Sequence, residues 1–256
     1  MQIEGKYIVI TGASSGIGKS LVEFLSLRSG VKIVAAARRN ELIPKKDGIV
    51  FSVAIDVSTQ GGVDQLFDFA IQKLGHIDIF IANAGFAYAE KLDKPDWQRI
   101  SDIFSLNVFS PIYSLEKLFA QQQGRRIQFV TIISGVAYFP LPAYALYCST
   151  KSALRLFFES FYFEKNDNLI ISNVYPVATR TEFFDKSALG SVSLPFLSQD
   201  KETVARRIIS GMEREKANIY PSFLFRLILP LARAFPFIVK IYSFNEKRKV
   251  SHILNS

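Results

Sequence analysis

The stretch "TGASSGIG", residues 11 to 18, decides how the chain folds. It follows "YIVIT", residues 7 to 11, a short β-rich apolar run that reads as a buried strand. It opens "GIGKSLVEFLSLRSG", in which Ile17, Leu21, Phe24 and Leu25 recur near helical spacing until Gly30 closes the segment. Gly12, Gly16 and Gly18 therefore sit in a strand-to-helix turn. Glycine lets a backbone approach a pyrophosphate, and a helix N-terminus offers free N–H groups and the positive end of its dipole. The spacing is G-x-x-x-G-x-G, which differs from the dinucleotide fingerprint G-x-G-x-x-G, but the physics is the same. Ser14, Ser15 and Ile17 complete the expected cofactor-facing turn. The bland alternative is a glycine-rich turn with no ligand.

Outward from that turn, strands and helices alternate. Further strands are expected in "VKIVAAA" (31–37), "IVFSVAI" (49–55), "IDIFIANAG" (77–85, strand and turn), "RIQFVTIIS" (126–134) and "LIISNVY" (169–175). Between them lie an amphipathic helix ending at Gly75, a long helix over 96–121 interrupted or kinked near Pro111, and another over 144–165. Six alternations predict an α/β fold, a Rossmann-like doubly wound parallel sheet with helices on both faces. No internal repeat or low-complexity linker interrupts it. Residues 1–256 read as one domain, with a substrate lid over 182–222 and a C-terminal helical extension over 223–256.

Composition limits the function classes. The 256 residues are 49% hydrophobic and 21% charged, a globular balance that can bury a large core without staples. Cys148 is the sole cysteine, so an internal disulfide is excluded. A reducing compartment fits, and cytoplasmic residence is expected. Cys148 is read as a small core residue rather than a nucleophile. His76 and His252 have no Cys or His neighbour at ligand spacing, so no metal site is expected. The net charge of +8 admits anionic partners such as a phosphorylated cofactor or lipid head groups. The basic residues are mostly dispersed and carry no nucleic-acid motif, so nucleic acid is not an expected partner. "MQIEGKYIVITG" lacks the pattern of a signal peptide.

The end of the second strand selects the cofactor. An NAD site needs a carboxylate there to bind the ribose hydroxyls. The sequence reads "AAARRN", with Arg38 and Arg39 and no acid. A guanidinium suits a 2′-phosphate, so NADP(H) is expected over NAD(H). Solvated loop charges are the alternative.

A set of motifs then narrows the family: "TGASSGIG", "DV" at 56–57, "ANAG" at 82–85, Asn107 in "SLNVFS", Ser134 in "IISG", and "YCSTK" at 147–151. In this order and spacing the chain resembles the short-chain dehydrogenase/reductase family over roughly residues 5 to 185. The resemblance implies hydride transfer between a nicotinamide and an alcohol or carbonyl, and a homodimer or homotetramer. It implies that the three glycines wrap the pyrophosphate and that Asp56 and Val57 sit against the adenine. Asn83, Ala84 and Gly85 would floor the cleft, with Pro176, Thr179 and Thr181 near the nicotinamide. Asn107, Ser134, Tyr147 and Lys151 would be the catalytic four. Two positions depart from the family pattern. Ala82 stands where Asn is usual, and Pro176-Val177 stands where Pro-Gly is usual. Valine does not readily adopt positive φ, so the loop near Thr179 and Thr181 is expected to be shaped differently.

Elementary chemistry supports those roles. Carbonyl reduction develops negative charge on oxygen and needs a proton. A free tyrosine has a pKa near 10, and a nearby ammonium and a cationic nicotinamide are expected to lower it. Ser134 would donate a hydrogen bond to the same oxygen, and Lys151 would also hold the ribose hydroxyls. Asn107 would hold a helix irregularity or a water leading to the lysine. In "YALYCSTK" (144–151), helical rise puts Tyr147 about 6 Å along the axis from Lys151, and Tyr144 about 10.5 Å. Tyr147 is therefore the expected acid, and Tyr144 lines the substrate mouth or packs; Phe183 and Phe184 belong to an apolar substrate lid or simply to the core.

The segment "FLFRLILPLARAFPFIVKI" (223–241) is apolar apart from Arg226, Arg233 and Lys240, spaced by seven. One helix would put them on one face, with kinks at Pro230 and Pro236. Three charges and two prolines argue against a membrane span. Peripheral membrane contact through 223–249 is one expectation; a cover over the cleft or an oligomer interface is another. The combined reading is an NADPH-preferring carbonyl reductase or alcohol dehydrogenase for an apolar, lipid- or steroid-like substrate. The competing reading is a catalytically silent regulatory or scaffold protein on the same fold.

Overall fold

Neighbouring residues of each central strand face two different cores, and this alternation builds the layers. The computed structural model describes residues 1–121, 123–180 and 198–255. Its strands are β1 (Tyr7–Thr11), β2 (Lys32–Ala37), β3 (Val50–Ala54), β4 (Ile79–Ala82), β5 (Ile127–Ile132), β6 (Leu169–Val174), β7 (Thr179–Arg180), β8 (Gln199–Asp200) and β9 (Asn218–Ile219). Seven of them form a parallel sheet in the order β3-β2-β1-β4-β5-β6-β9, and β7 and β8 pair separately. Register is set by pairs such as Ile8 with Ile33 and Ile10 with Ile81.

Val9, Phe80 and Phe129 face one side of the sheet, and Ile8, Ile10, Ile79, Ile81 and Val130 face the other. Helices α1 (Gly16–Leu25), α2 (Gln60–Leu74), α3 (Trp97–Phe104), α4 (Ser110–Ala120), α5 (Ala145–Phe161) and α6 (Lys201–Glu213) supply the covering layers. α2, α4 and α5 bury Phe67, Leu115, Leu118, Leu154 and Phe158 against the first side. α1 and α6 bury Leu21, Val22, Ile208 and Met212 against the second. Two-sided burial is why these strands read as continuous apolar runs. Helices α7 (Phe223–Ala234), α8 (Phe237–Lys249) and α9 (Ser251–Asn255) follow the sheet.

Two expectations need correction, and the expected interruption near Pro111 takes a specific form. The seventh strand, Asn218–Ile219, was not foreseen; Val174 pairs with Ile219, and Tyr175 donates to the Ile219 carbonyl at 2.9 Å. The helix over 96–121 is interrupted by a π-helical turn at Ser105–Phe109, ahead of Pro111, which sits in the first turn of α4 where a missing N–H costs nothing. The apolar run 223–241 is two helices. Pro230 lies inside α7, while Pro236 caps α8 and separates Lys240 from Arg226 and Arg233.

A stack of rings runs through the first core. Phe67 lies 5.4 Å from Phe80, Phe80 lies 5.5 Å from Phe129, and Phe129 lies 5.9 Å from Phe158 between centroids. Phe129→Ala should therefore cost about 3–5 kcal/mol. Urea unfolding measures it, and a loss below about 1 kcal/mol would contradict this account of the core.

Candidate active site

Strand order reverses between β1 and β4, where crossovers leave in opposite directions and open a crevice beyond the strand ends. A cleft of about 1110 Å³ occupies this place. At its floor the turns after β1 and β4 are pinned together. The Asn83 side-chain amide donates to the carbonyls of Thr11 and Gly12 at 3.0 and 3.1 Å. Thr11 Oγ1 accepts from the backbone N–H groups of Asn83 and Ala84, both at 3.1 Å. A Cβ on Gly12 would fall 2.8 Å from Ala84 Cα, and one on Gly18 would fall 2.3 Å from the Gly12 carbonyl oxygen. Gly12 and Gly18 are thus demanded by the chain's own packing. Gly16 is demanded by conformation, with φ at 54°.

Helix α1 starts on this floor. Its Ser15 N-cap makes no side-chain cap, and no acid lies in its first turn. The N–H groups at Gly16 and Ile17 therefore face the cleft, which Ser14, Ser15, Gly16 and Ile17 line. Arg38 and Arg39 line it at the end of β2, both exposed, and neither guanidinium has an ion pair or hydrogen bond among the described residues. An uncapped helix start beside two free guanidinium groups fits an anionic phosphate group. Asp56, Val57, Ala84, Gly85, Pro176 and Thr179 line the same cleft. Val177 is not among the residues with positive φ, so this turn is built without the left-handed residue that a Pro-Gly turn would allow.

The four expected chemical residues converge at the far end. Ser134, Tyr147 and Lys151 line the cleft, and Asn107 lies buried behind it. The Ser134 hydroxyl is hydrogen-bonded to the Tyr147 phenol, and Lys151 Nζ lies 5.7 Å from the centre of the Tyr147 ring. Lys151, only 5% exposed, donates to the Ile132 carbonyl at 3.0 Å. Asn107 sits in the π-helical turn. Its Oδ1 accepts from Phe86 N at 3.0 Å, and its Nδ2 donates to the Phe86 carbonyl at 2.8 Å and to Thr150 Oγ1 at 3.1 Å. It ties the β4 turn to α5 and is a positioning residue. Ser134 has φ 146°, and Ala143, just before Tyr144, has φ 66°, so two strained backbone positions border the site.

The geometry matches a known pattern of relatives. A family model described as short chain dehydrogenase matches residues 6–190. The chain belongs to the short-chain dehydrogenase family. An uncharacterised oxidoreductase of Listeria monocytogenes is 30% identical over 198 residues, covering 72% of this chain and 79% of its own. A short-chain dehydrogenase of Burkholderia cenocepacia, solved with NADP, superposes with a TM-score of 0.80 at 21% identity over 95% of this chain and 99% of its own. One of Burkholderia phymatum, solved with NAD, gives 0.78 at 21% identity over 94% and 96%. This dehydrogenase is an NAD(P)-dependent oxidoreductase.

Electrostatics in the dehydrogenase differ from the sequence expectation. Burial pushes the Tyr147 phenol well above the ordinary tyrosine range, with the Ser134 hydrogen bond opposing it. Burial also pushes Lys151 down to about 8. In the protein alone desolvation therefore outweighs the influences that lower the phenol.

Sequence reasoning missed part of the wall. Phe139, Phe225, Ile228, Ile238 and Tyr242 line the cleft, and a Cβ on Gly135 would touch the Phe225 ring at 3.1 Å. Glu246, buried and paired with Lys249 at 2.6 Å, also lines it. A cover over the cleft was among the expectations for 223–241, but the pattern did not single out these side chains or Glu246. Tyr144, at the start of α5 and 1% exposed, lines the cleft. Thr181, Phe183 and Phe184 lie outside the described residues, as do residues 182–197 of the expected lid. The rest of that expectation needs correction: 201–213 is α6, whose Val204, Ile208 and Met212 are buried against the sheet, and Asn218–Ile219 is the sheet's edge strand β9.

The buried lysine gives a signed pH effect. Its folded pKa lies below the ordinary 10.5, so the folded state binds fewer protons between about 8 and 10.5. Stability rises with pH across that window, and the full cost of burying the ammonium is present below it. Lys151→Met should be more stable than wild type at pH 7 by about 2 to 3 kcal/mol, less the lost hydrogen bond to Ile132. Urea unfolding of the ligand-free proteins should show the gap closing from pH 8 to 10.5. A gap independent of pH would exclude this origin.

Proposed function

We propose that this dehydrogenase is an NADPH-preferring reductase of apolar ketones, or in reverse a dehydrogenase of the matching secondary alcohols, with lipid- or steroid-like compounds as the substrate class. One observation carries the reading: a single cleft joins two free guanidinium groups at one end to an apolar wall around the Ser134–Tyr147–Lys151 cluster at the other. Arg38 and Arg39, with no acid at the end of β2, support recognition of a 2′-phosphate. Leu106, Phe139, Tyr144, Phe225, Ile228 and Ile238 support an apolar substrate.

A bound nicotinamide would supply or accept the hydride at the substrate carbon. The chain's own part is proton transfer and charge stabilisation. Burial keeps the Tyr147 phenol protonated, which suits a donor to a carbonyl oxygen gaining negative charge. Ser134, aligned by its bond to Tyr147, donates to the same oxygen. After the proton leaves, the Lys151 ammonium stabilises the phenolate. Oxidation of an alcohol runs the sequence backwards, with the phenolate as base. Asn107 keeps the β4 turn and α5 in register so that the three groups meet.

Tyr147→Phe should lower kcat by roughly 10²–10⁴-fold while NADPH still binds. Tyr144→Phe should act mainly on KM. Steady-state rates over a panel of apolar ketones, with fluorescence titration of NADPH, measure both, and the reverse pattern would overturn the assignment of the acid. Arg38→Asp should weaken NADPH binding about ten- to hundredfold and spare NADH, as expected for a lost charge-assisted contact. An unchanged NADPH preference in that variant would sink the cofactor reading.

A further inference from the structure

We propose that the outer surface of α7 and α8 docks onto an anionic lipid bilayer, with both helices lying in the plane of the membrane. The two helices turn one face inward. Phe225, Ile228, Leu229 and Ala232 of α7, and Ile238, Val239 and Tyr242 of α8, pack on the cleft and on Phe139. The opposite face is apolar and open to solvent. On α7 it carries Phe223, Leu227 and Leu231 at four-residue steps, and on α8 it carries Phe237, Ile241 and Phe244 at steps of four and three. Leu231 is 55% exposed, Phe237 58% and Ile241 57%. Both spacings make one continuous strip per helix.

The charge pattern repeats on the two helices. Arg226 and Arg233 are seven apart on α7, and Lys240 and Lys247 are seven apart on α8. All four are exposed, and in each helix the pair flanks the apolar strip. Residues 223–249 hold six cationic residues and one carboxylate, Glu246, which is buried and paired with Lys249. An apolar strip with a cationic flank is the pattern of a helix lying at the level of anionic head groups. No helix among the described residues is long and apolar enough to cross a membrane. A second copy of the chain is the less suited occupant, because a twofold contact would bring these cations against their own counterparts. Because α7 and α8 also wall the cleft, docking would hold the apolar end of the cleft beside lipid. The binding surface itself does not rest on the proposed reaction.

The test is co-sedimentation of the full-length protein, without cofactor or substrate, with vesicles of phosphatidylcholine and of phosphatidylcholine mixed with phosphatidylserine. The protein should pellet with the phosphatidylserine vesicles and remain in solution with phosphatidylcholine alone. Added salt should release it. The paired substitutions Leu227→Ser with Ile241→Ser, and Arg233→Glu with Lys240→Glu, should each weaken that binding at least about tenfold, since one removes buried apolar area and the other reverses the attraction. All four positions are exposed and outside the cleft, so circular dichroism and thermal unfolding should match wild type. Equal binding to both vesicle types, no binding, or undiminished binding by both variants would overturn the proposal. So would a dimer in analytical ultracentrifugation that Leu227→Ser with Ile241→Ser dissociates, because the strip would then be an interface between copies.

Discussion

The pin between the turns after β1 and β4 is the constraint on which the site depends. A parallel sheet that reverses direction leaves two strand ends with nothing between them, and the resulting crevice has no intrinsic width. Asn83 and Thr11 set that width with four hydrogen bonds to backbone groups. Helix α1 leaves the first turn and the Asn107 network leaves the second, so the anion-facing end and the chemical end are both referenced to one joint.

The chemical end is held by strain and burial acting together. Ser134 and Ala143 occupy backbone regions that non-glycine residues avoid, and each is fastened by neighbours: Gly135 N donates to Pro176 O, and Glu90 N donates to Ala143 O, both at 2.8 Å. Lys151 loses nearly all its hydration for a single carbonyl contact. A chain selected for stability alone would keep none of these features. Their concentration around one phenol marks where stability has been traded for reactivity.

Much of this architecture was legible in the sequence, for identifiable reasons. Strands buried on both faces write themselves as contiguous apolar runs, and the glycine turn marked the joint. What escaped was set by tertiary contact. Asn218–Ile219 is too short to show a period and is a strand only because β6 offers it an edge. Ser-Leu-Asn-Val-Phe at 105–109 has an ordinary helical pattern, so the irregularity expected at Asn107 rested on the family resemblance, and its π-helical form and the partners that hold it came from the structure. The pKa directions followed from depth of burial, which spacing along one helix does not report. The inner face of α7 and α8 was hidden because apolar residues on both faces of a helix look alike in one dimension.

The tight packing of Gly12 and Gly18 changes what a familiar control experiment means. Glycine-to-alanine variants in such a turn are commonly prepared as binding-deficient controls, on the premise that the added methyl group meets the nucleotide. In this chain it meets Ala84, Asn83 and the Gly12 carbonyl first. Such a variant would lose its crevice before any ligand arrived, and its inactivity would report damage to the scaffold. A clean control must alter the groups that face outward into the cleft and leave the joint beneath them untouched.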